Sequence, residues 1–273
     1  MNRSQKTRWA KLAALTVAVA LSACGGSDEA PVADPVPGPS PAPSPAPTPS
    51  PSPAPAPTPT PAPAPAPSPA ADSSACWNDA MSNPGSTWKV SFRERGIGGD
   101  VDGIVVTTET LGPKTFNNQA ATESRISTRV QGKPDEVQLS YSLLNAQEYR
   151  QLGWRLANGS EVYLEPGWVT PRAMQVGQSA TSTFTTRFAD GSAPSTSTTT
   201  TTTYLGRQTI TTPAGTFETC QVRFVDQGGG TSYTWTVANG PYSGIDVRHS
   251  LAIAADGSSA WVREATAIEA SFR

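Results

Sequence analysis

From Thr87 onward, apolar and polar side chains take turns along the chain. A period of two restricts such a chain to pleated strands with one oily face. Trp88, Val90 and Phe92 alternate with Thr87, Lys89, Ser91 and Arg93. The pattern returns in Val137, Leu139, Tyr141 and Leu143, in Leu152, Trp154 and Leu156, in Val162 and Leu164, and in Phe184, Thr186 and Phe188. It continues through Cys220, Val222 and Phe224, then Tyr233, Trp235 and Val237, then Ile245, Val247, His249, Leu251 and Ile253, and last through residues 262–268. Turn sequences separate these runs, among them Ala157-Asn158-Gly159-Ser160, Ala189-Asp190-Gly191 and Ala255-Asp256-Gly257. Gly206 to Phe224 reads as a β-hairpin about Pro213-Ala214-Gly215. One wet and one dry face per strand describes an antiparallel sheet, and so long a meander must close or curl to protect its edges. The expected fold is therefore all-β: a strongly curved antiparallel sheet, either an open half-barrel or barrel-like. Within it, Thr198 to Thr203 is expected as a solvent-facing strand and Asn145 to Tyr149 as a short helical turn.

The first seventy residues cannot join that sheet. Arg3, Lys6, Arg8 and Lys11 precede an apolar run, Leu12 to Leu21, that is too short to span a bilayer. The run ends in Leu21-Ser22-Ala23-Cys24 followed by Gly25. This resembles the lipobox of bacterial lipoproteins, in which the Cys becomes the acylated first residue; the alternative is an ordinary secretory signal with a chance Cys. The resemblance implies three acyl chains on Cys24, and at roughly 0.8 kcal/mol per buried CH2 they anchor stably where one chain would not. It also implies outer-membrane placement, facing the periplasm, because Gly25 stands where an Asp would favour inner-membrane retention. Residues 31–71 alternate Pro with Ala, Ser and Thr, a composition that stays extended and disordered for want of apolar groups to bury. The expected organisation is a signal peptide over 1–23, a lipidated Cys and Pro-rich spacer over 24–71, and one globular domain over 72–273. At about 3.1 Å per residue the spacer would reach on the order of 120 Å. Loss of the signal leaves sixteen basic residues against twenty-two acidic ones, a net charge of −6. No basic cluster remains to track a phosphate backbone, so nucleic acid is not an expected partner.

Two cysteines, Cys76 and Cys220, remain after processing. In an oxidising periplasm they are expected to form one disulfide, with two buried free thiols as the alternative. Catalytic and metal motifs are poor. Ser86-Thr87-Trp88-Lys89 fits Ser-x-x-Lys, but on a period-two strand and without companion motifs. Ser243 lies among glycines without forming a nucleophile elbow, and the lone His249 has the parity of its apolar neighbours. Asp100-Val101-Asp102-Gly103 resembles a calcium loop until Ile104 occupies a ligand position. No cofactor, metal or catalytic residue is therefore assigned, and the domain is read as non-enzymatic.

Pro171 to Ser179, a Thr-rich strand, the Thr-Pro-Ala-Gly-Thr-Phe-Glu-Thr-Cys turn, Tyr233-Thr234-Trp235 and Gly244-Ile245-Asp246-Val247-Arg248 follow in that order. The order is similar to that of uncharacterised bacterial lipoproteins and periplasmic proteins likened in fold to the carriers LolA and LolB. It covers roughly residues 165–250. The resemblance implies an open half-barrel, and the motifs are turn and packing residues. Two functions follow as expectations. One is binding of an apolar or lipidic ligand on the concave face, lined by Trp88, Phe92, Trp154, Phe184 and Trp235. The alternative is an envelope interaction protein that contacts a protein or peptidoglycan through exposed aromatics such as Trp168 and Trp261. Radiolabelled palmitate should enter the wild-type protein and not Cys24→Ala; label in both would refute the anchor.

Overall fold

The alternating runs form twelve strands in a computed structural model that describes residues 72–96, 99–252 and 259–273. They are β1 (Thr87–Gly96), β2 (Val101–Phe116), β3 (Gln119–Arg129), β4 (Glu136–Leu144), β5 (Glu148–Arg155), β6 (Glu161–Pro171), β7 (Ser179–Phe188), β8 (Thr196–Thr212), β9 (Gly215–Asp226), β10 (Thr231–Val237), β11 (Asp246–Ala252) and β12 (Ser259–Ser271). Each pairs antiparallel with its neighbours in sequence, and β1 pairs with β12, so the meander closes into a barrel. Closure leaves no open edge, unlike the half-barrel that the likeness to LolA and LolB implies. The signal, Cys24 and the Pro-rich stretch lie outside the described residues.

Pairing register fixes which side chains share a face. Trp88 stands opposite Thr108, Thr108 opposite Ile126, and Ile126 opposite Gln138. Thr234 stands opposite Val222 and His249, and His249 opposite Arg263, which meets Glu94. These residues line the inside. The outside carries cross-strand ion pairs: Lys89–Glu269, Arg93–Glu264, Arg125–Glu109, Arg155–Glu161 and Arg187–Glu165. Charges on a lipid-facing barrel wall cost about 2–4 kcal/mol each at the bilayer midplane, so this wall faces water.

The threonine run divides between the two faces. Thr199, Thr201 and Thr203 pair hydroxyl to hydroxyl with Thr183, Thr181 and Ser179 on the outer face of β7. Thr200 and Thr202 turn inward and are buried, which corrects the expectation of a wholly solvent-facing strand. The helical turn expected at Asn145 to Tyr149 is a tight β4–β5 turn instead. There Asn145 Oδ1 accepts from the Gln147 and Glu148 N–H groups, and Tyr149 already belongs to β5.

The β2–β3 hairpin bends over the outer wall. Its tip, Asn117 and Asn118 with φ of 46° and 59°, makes the sharp turn. Phe116 stacks on Tyr141 at 3.9 Å, and Asn117 Nδ2 donates to Glu165 Oε1. Gly153 permits this: a Cβ there would sit 2.0 Å from the Val162 carbonyl oxygen and 2.8 Å from Phe116 Cε1. The β8–β9 hairpin behaves similarly, with the Ala214 N–H bonded to the Ala265 carbonyl of β12.

Residues 72–86, with 3-10 turns at Ser73–Cys76 and Asp79–Ser82, lie across one end of the barrel. Their partners come from all round the ring. Ser73 Oγ donates to Arg172 O and accepts from Met174 N, Trp77 stacks on Tyr149, Asn78 Nδ2 donates to Ser243 O, and Thr110 Oγ1 donates to Met81 O. A disulfide joins Cys76 to Cys220, Cα to Cα 6.1 Å, within the ordinary range for such bridges. It closes a loop 144 residues apart, so Cys76→Ala with Cys220→Ala should lower unfolding free energy by about 2–5 kcal/mol in denaturant melts. An unchanged midpoint would show that the end plug holds without it.

Candidate functional site

Eight strands enclose an interior that side chains can just fill, and twelve enclose more. Two zones result. From the plug to about midway along the barrel the inward side chains include many that are buried: Val90, Thr108, Thr110, Ser140, Gln151, Leu164, Thr170, Ser182, Thr200, Thr202, Tyr204 and Cys220. Towards the opposite rim, formed by the β3–β4, β5–β6, β7–β8 and β9–β10 turns, most inward side chains are only half-buried. These include Ile126, Trp154, Phe184, Phe188, Phe224 and Leu251. Among the described residues, these are inward side chains with partial exposure. The lumen above the plug is the candidate site.

The five aromatics singled out from sequence do not all meet there. Register places Trp88, Phe92, Trp154 and Phe184 on the inner face, with Phe92 fully buried among Val90, Ile104 and Ala265. Trp235 stands opposite Gln221 and Arg248, on the outer face, so it does not line the lumen. A β-bulge at Trp235/Thr236 accompanies the change of company: Arg248 lies 5.1 Å over its ring and Ile210 packs in the same cluster. Trp168 and Trp261, expected outside, share the inner face with Gln151 and Arg263 respectively. This removes the exposed aromatics on which the interaction reading drew. Trp168 shares the parity of the inward Val162 and Leu164 and could have been placed inside from that, although β6 has by then left its pairing with β7. The ladder stops at Glu165 opposite Thr185, and beyond it the Val169 N–H bonds Ser182 Oγ in place of a backbone carbonyl.

The inner wall carries two polar groupings. On β5, Gln151 Nε2 lies within hydrogen-bonding distance of Ser140 Oγ, Tyr141 O and Gly153 O, and Tyr149 Oη donates to Gln151 Oε1. Burial pushes the Tyr149 hydroxyl up to about 12. This grouping braces the bulge at Leu152. On the far wall Glu94 accepts from Arg263, His249 Nε2 is 3.8 Å from Asp246 Oδ2, and Thr234 Oγ1 is 3.3 Å from His249 Nδ1. A hydroxyl, an imidazole and a carboxylate in a row suggest a nucleophile relay. However, Asp246 is engaged by Thr236, and its contact with His249 exceeds hydrogen-bond length. The row holds β10 to β11. The calcium-loop residues Asp100 and Asp102 both turn to Arg95, at 3.5 and 2.7 Å.

Beside the plug a cleft of ≈ 510 Å³ opens between Ser74, Asp79, Leu144, Asn145 and Arg172. Its one cation, Arg172, is paired with Asp79 at 2.8 Å and donates to Asn145 O. That cleft offers a ligand no free charge.

No family model and no curated protein matches this sequence. Among solved structures the chain is similar to a candidate lipoprotein from Parabacteroides distasonis, with TM-score 0.42 and 10% identity over 69% of this chain and 96% of that one. It is also similar to a candidate exported protein with a YmcC-like fold from Bacteroides fragilis, with TM-score 0.40 and 12% identity over 68% and 96%. Likeness at those scores is too loose to carry a fold or a function across.

Burial lowers the His249 pKa below its ordinary value; Asp246 opposes the shift and Arg263 reinforces it. An unfolded His titrates near 6.5. Below that pH the unfolded state binds the extra proton first, so the stability that neutral His249 permits is complete above about pH 6.5 and drains away as pH falls. His249→Gln should remove this slope. Urea melts from pH 7.5 to 5.5 should then show wild type losing ground to the variant, and parallel curves would sink the assignment.

Proposed function

We propose that this protein is a lipoprotein of the cell envelope, anchored through acyl chains on Cys24, whose barrel is a non-enzymatic binding domain for an apolar or lipidic ligand held in the lumen. The observation that carries the reading is the half-buried state of Trp154, Phe184 and Phe224 on the inside of a closed sheet. Side chains facing inward in a filled barrel are dry and packed. Here aromatic surface is left accessible to solvent that a ligand would displace, and burying it favours binding by roughly 25 cal/mol per Å². The plugged end makes the lumen a cup with one mouth.

Leu21-Ser22-Ala23-Cys24 supports the anchor, and Gly25 supports delivery to the outer membrane with the domain in the periplasm. A disulfide tying the plug in place suits that oxidising compartment. The ion-paired outer wall supports a barrel carried in water on a spacer, with the acyl chains as its only contact with lipid.

The mature chain carrying Cys24→Ala, exported from a soluble secretory signal and purified without detergent, tests the lumen directly. Native mass spectrometry should show a small-molecule adduct that organic solvent removes. Trp154→Ala combined with Phe184→Ala should reduce its occupancy several-fold. A bare mass throughout, with no uptake of N-phenyl-1-naphthylamine by the purified protein, would end the reading.

A further inference from the structure

Seven buried side-chain atoms have no hydrogen-bond partner among the described residues. Four are Nε atoms of arginines engaged elsewhere (Arg93, Arg207, Arg223 and Arg248), and Trp235 Nε1 lies on the outer face. The two left on the inner face are the Trp168 indole Nε1 and the Thr202 Oγ1. They belong to one place. Thr202, 1% exposed, stands directly opposite Phe224 in the β8–β9 ladder, and Trp168 meets the Phe224 ring edge-on at 5.5 Å. Trp168 comes from β6, three strands from β9, so this contact crosses the inside of the barrel at the point where the β6–β7 ladder has opened. Hydroxyls elsewhere are matched: Ser182 accepts from Val169 N, Thr110 donates to Met81 O, and Thr219 donates to Gln208 O. Buried polar groups are almost always paired, so two that are not, on residues that both neighbour Phe224, mark a position that something else fills.

We propose that Trp168 Nε1 and Thr202 Oγ1 are the polar end of the lumen site and hold a neutral oxygen of the ligand, while Phe224 and the half-buried aromatics towards the rim hold its apolar chain. This rests on the lumen-binding reading and gives it a chemical class. An indole N–H only donates, so the ligand group must accept. The register neighbours of Thr202 are Ala180 and Phe224, and the Trp168 neighbour is Gln151, none of them ionised. A carboxylate or phosphate placed there would lose its hydration with no cation among those register neighbours to replace it. An alcohol, ester or ketone oxygen on a hydrocarbon chain meets both requirements.

The test uses the full mature chain carrying Cys24→Ala, loaded with N-phenyl-1-naphthylamine and titrated with dodecanol or dodecane, each delivered from cyclodextrin. Wild type should release the probe to dodecanol at least tenfold more readily than to dodecane. In Thr202→Val and in Trp168→Phe, two near-isosteric changes that each delete one donor, that preference should fall towards unity. Equal displacement by both compounds in wild type would overturn the polar subsite and leave the lumen reading intact. Preference undiminished in both variants would overturn it as well. Failure of the probe to bind at all would remove the subsite together with the reading beneath it.

Discussion

Closure of twelve strands into one ring is the constraint the rest of this protein answers to, because a ring of that size has a wider interior than the eight strands that side chains just fill. At one end the chain fills the space with itself: residues 72–86 cross the opening and bond to the strand ends and turns around it. At the other end nothing comparable is described, and aromatic side chains on the inner wall are left half-wet. The width that the plug closes at one end is what the proposed lumen site would use at the other. The Cys76–Cys220 bridge sets which segment does the filling, because it fixes the plug to β9 irrespective of the weaker polar contacts.

The two walls divide the electrostatic work. Outside, cross-strand pairs such as Arg125–Glu109 and Arg155–Glu161 are exposed, and pairs of that kind contribute about 0–1 kcal/mol each. Their value is solubility and register more than stability: like charges opposite one another would repel, and a slip of one residue would turn the whole set inward. Inside, the hydroxyls of β2, β4, β7 and β8 soften one wall, while β1 and β12 present Val90, Phe92, Ala265 and Ile268 on the other. An inner wall of that mixed character is in keeping with the amphiphilic ligand proposed above.

The fold was legible because alternation is local. Val90 and Phe92, or Val222 and Phe224, announce a strand and its dry face with no knowledge of partners. Cys220 was legible for the same reason, since it shares the parity of Val222. Trp235 was not. In β10 the apolar parity, Tyr233 and Trp235, faces outwards, because Thr234 is the residue that pairs with Val222 and His249, and Ile210 and Phe217 of the β8–β9 hairpin join the same cluster there. Trp168 shares the parity of the inward Val162 and Leu164, so its side was legible although the expectation put it outside. The threonine run misled differently: every residue in it is polar, so composition carried no hint that Thr200 and Thr202 point inward.

By itself, then, the sequence determined the class of structure and pointed to the cysteine pair, and it holds the motif from which an anchor at Cys24 is proposed, because period, turn chemistry and a processing motif are all written within a few neighbouring residues. Closure into a ring, the plug across one end, and the meeting of Trp168 with Phe224 and Thr202 were decided only in three dimensions. Each of these depends on contacts between residues tens of positions apart, and on bulges that shift register by a single residue. No local pattern encodes where such a shift falls.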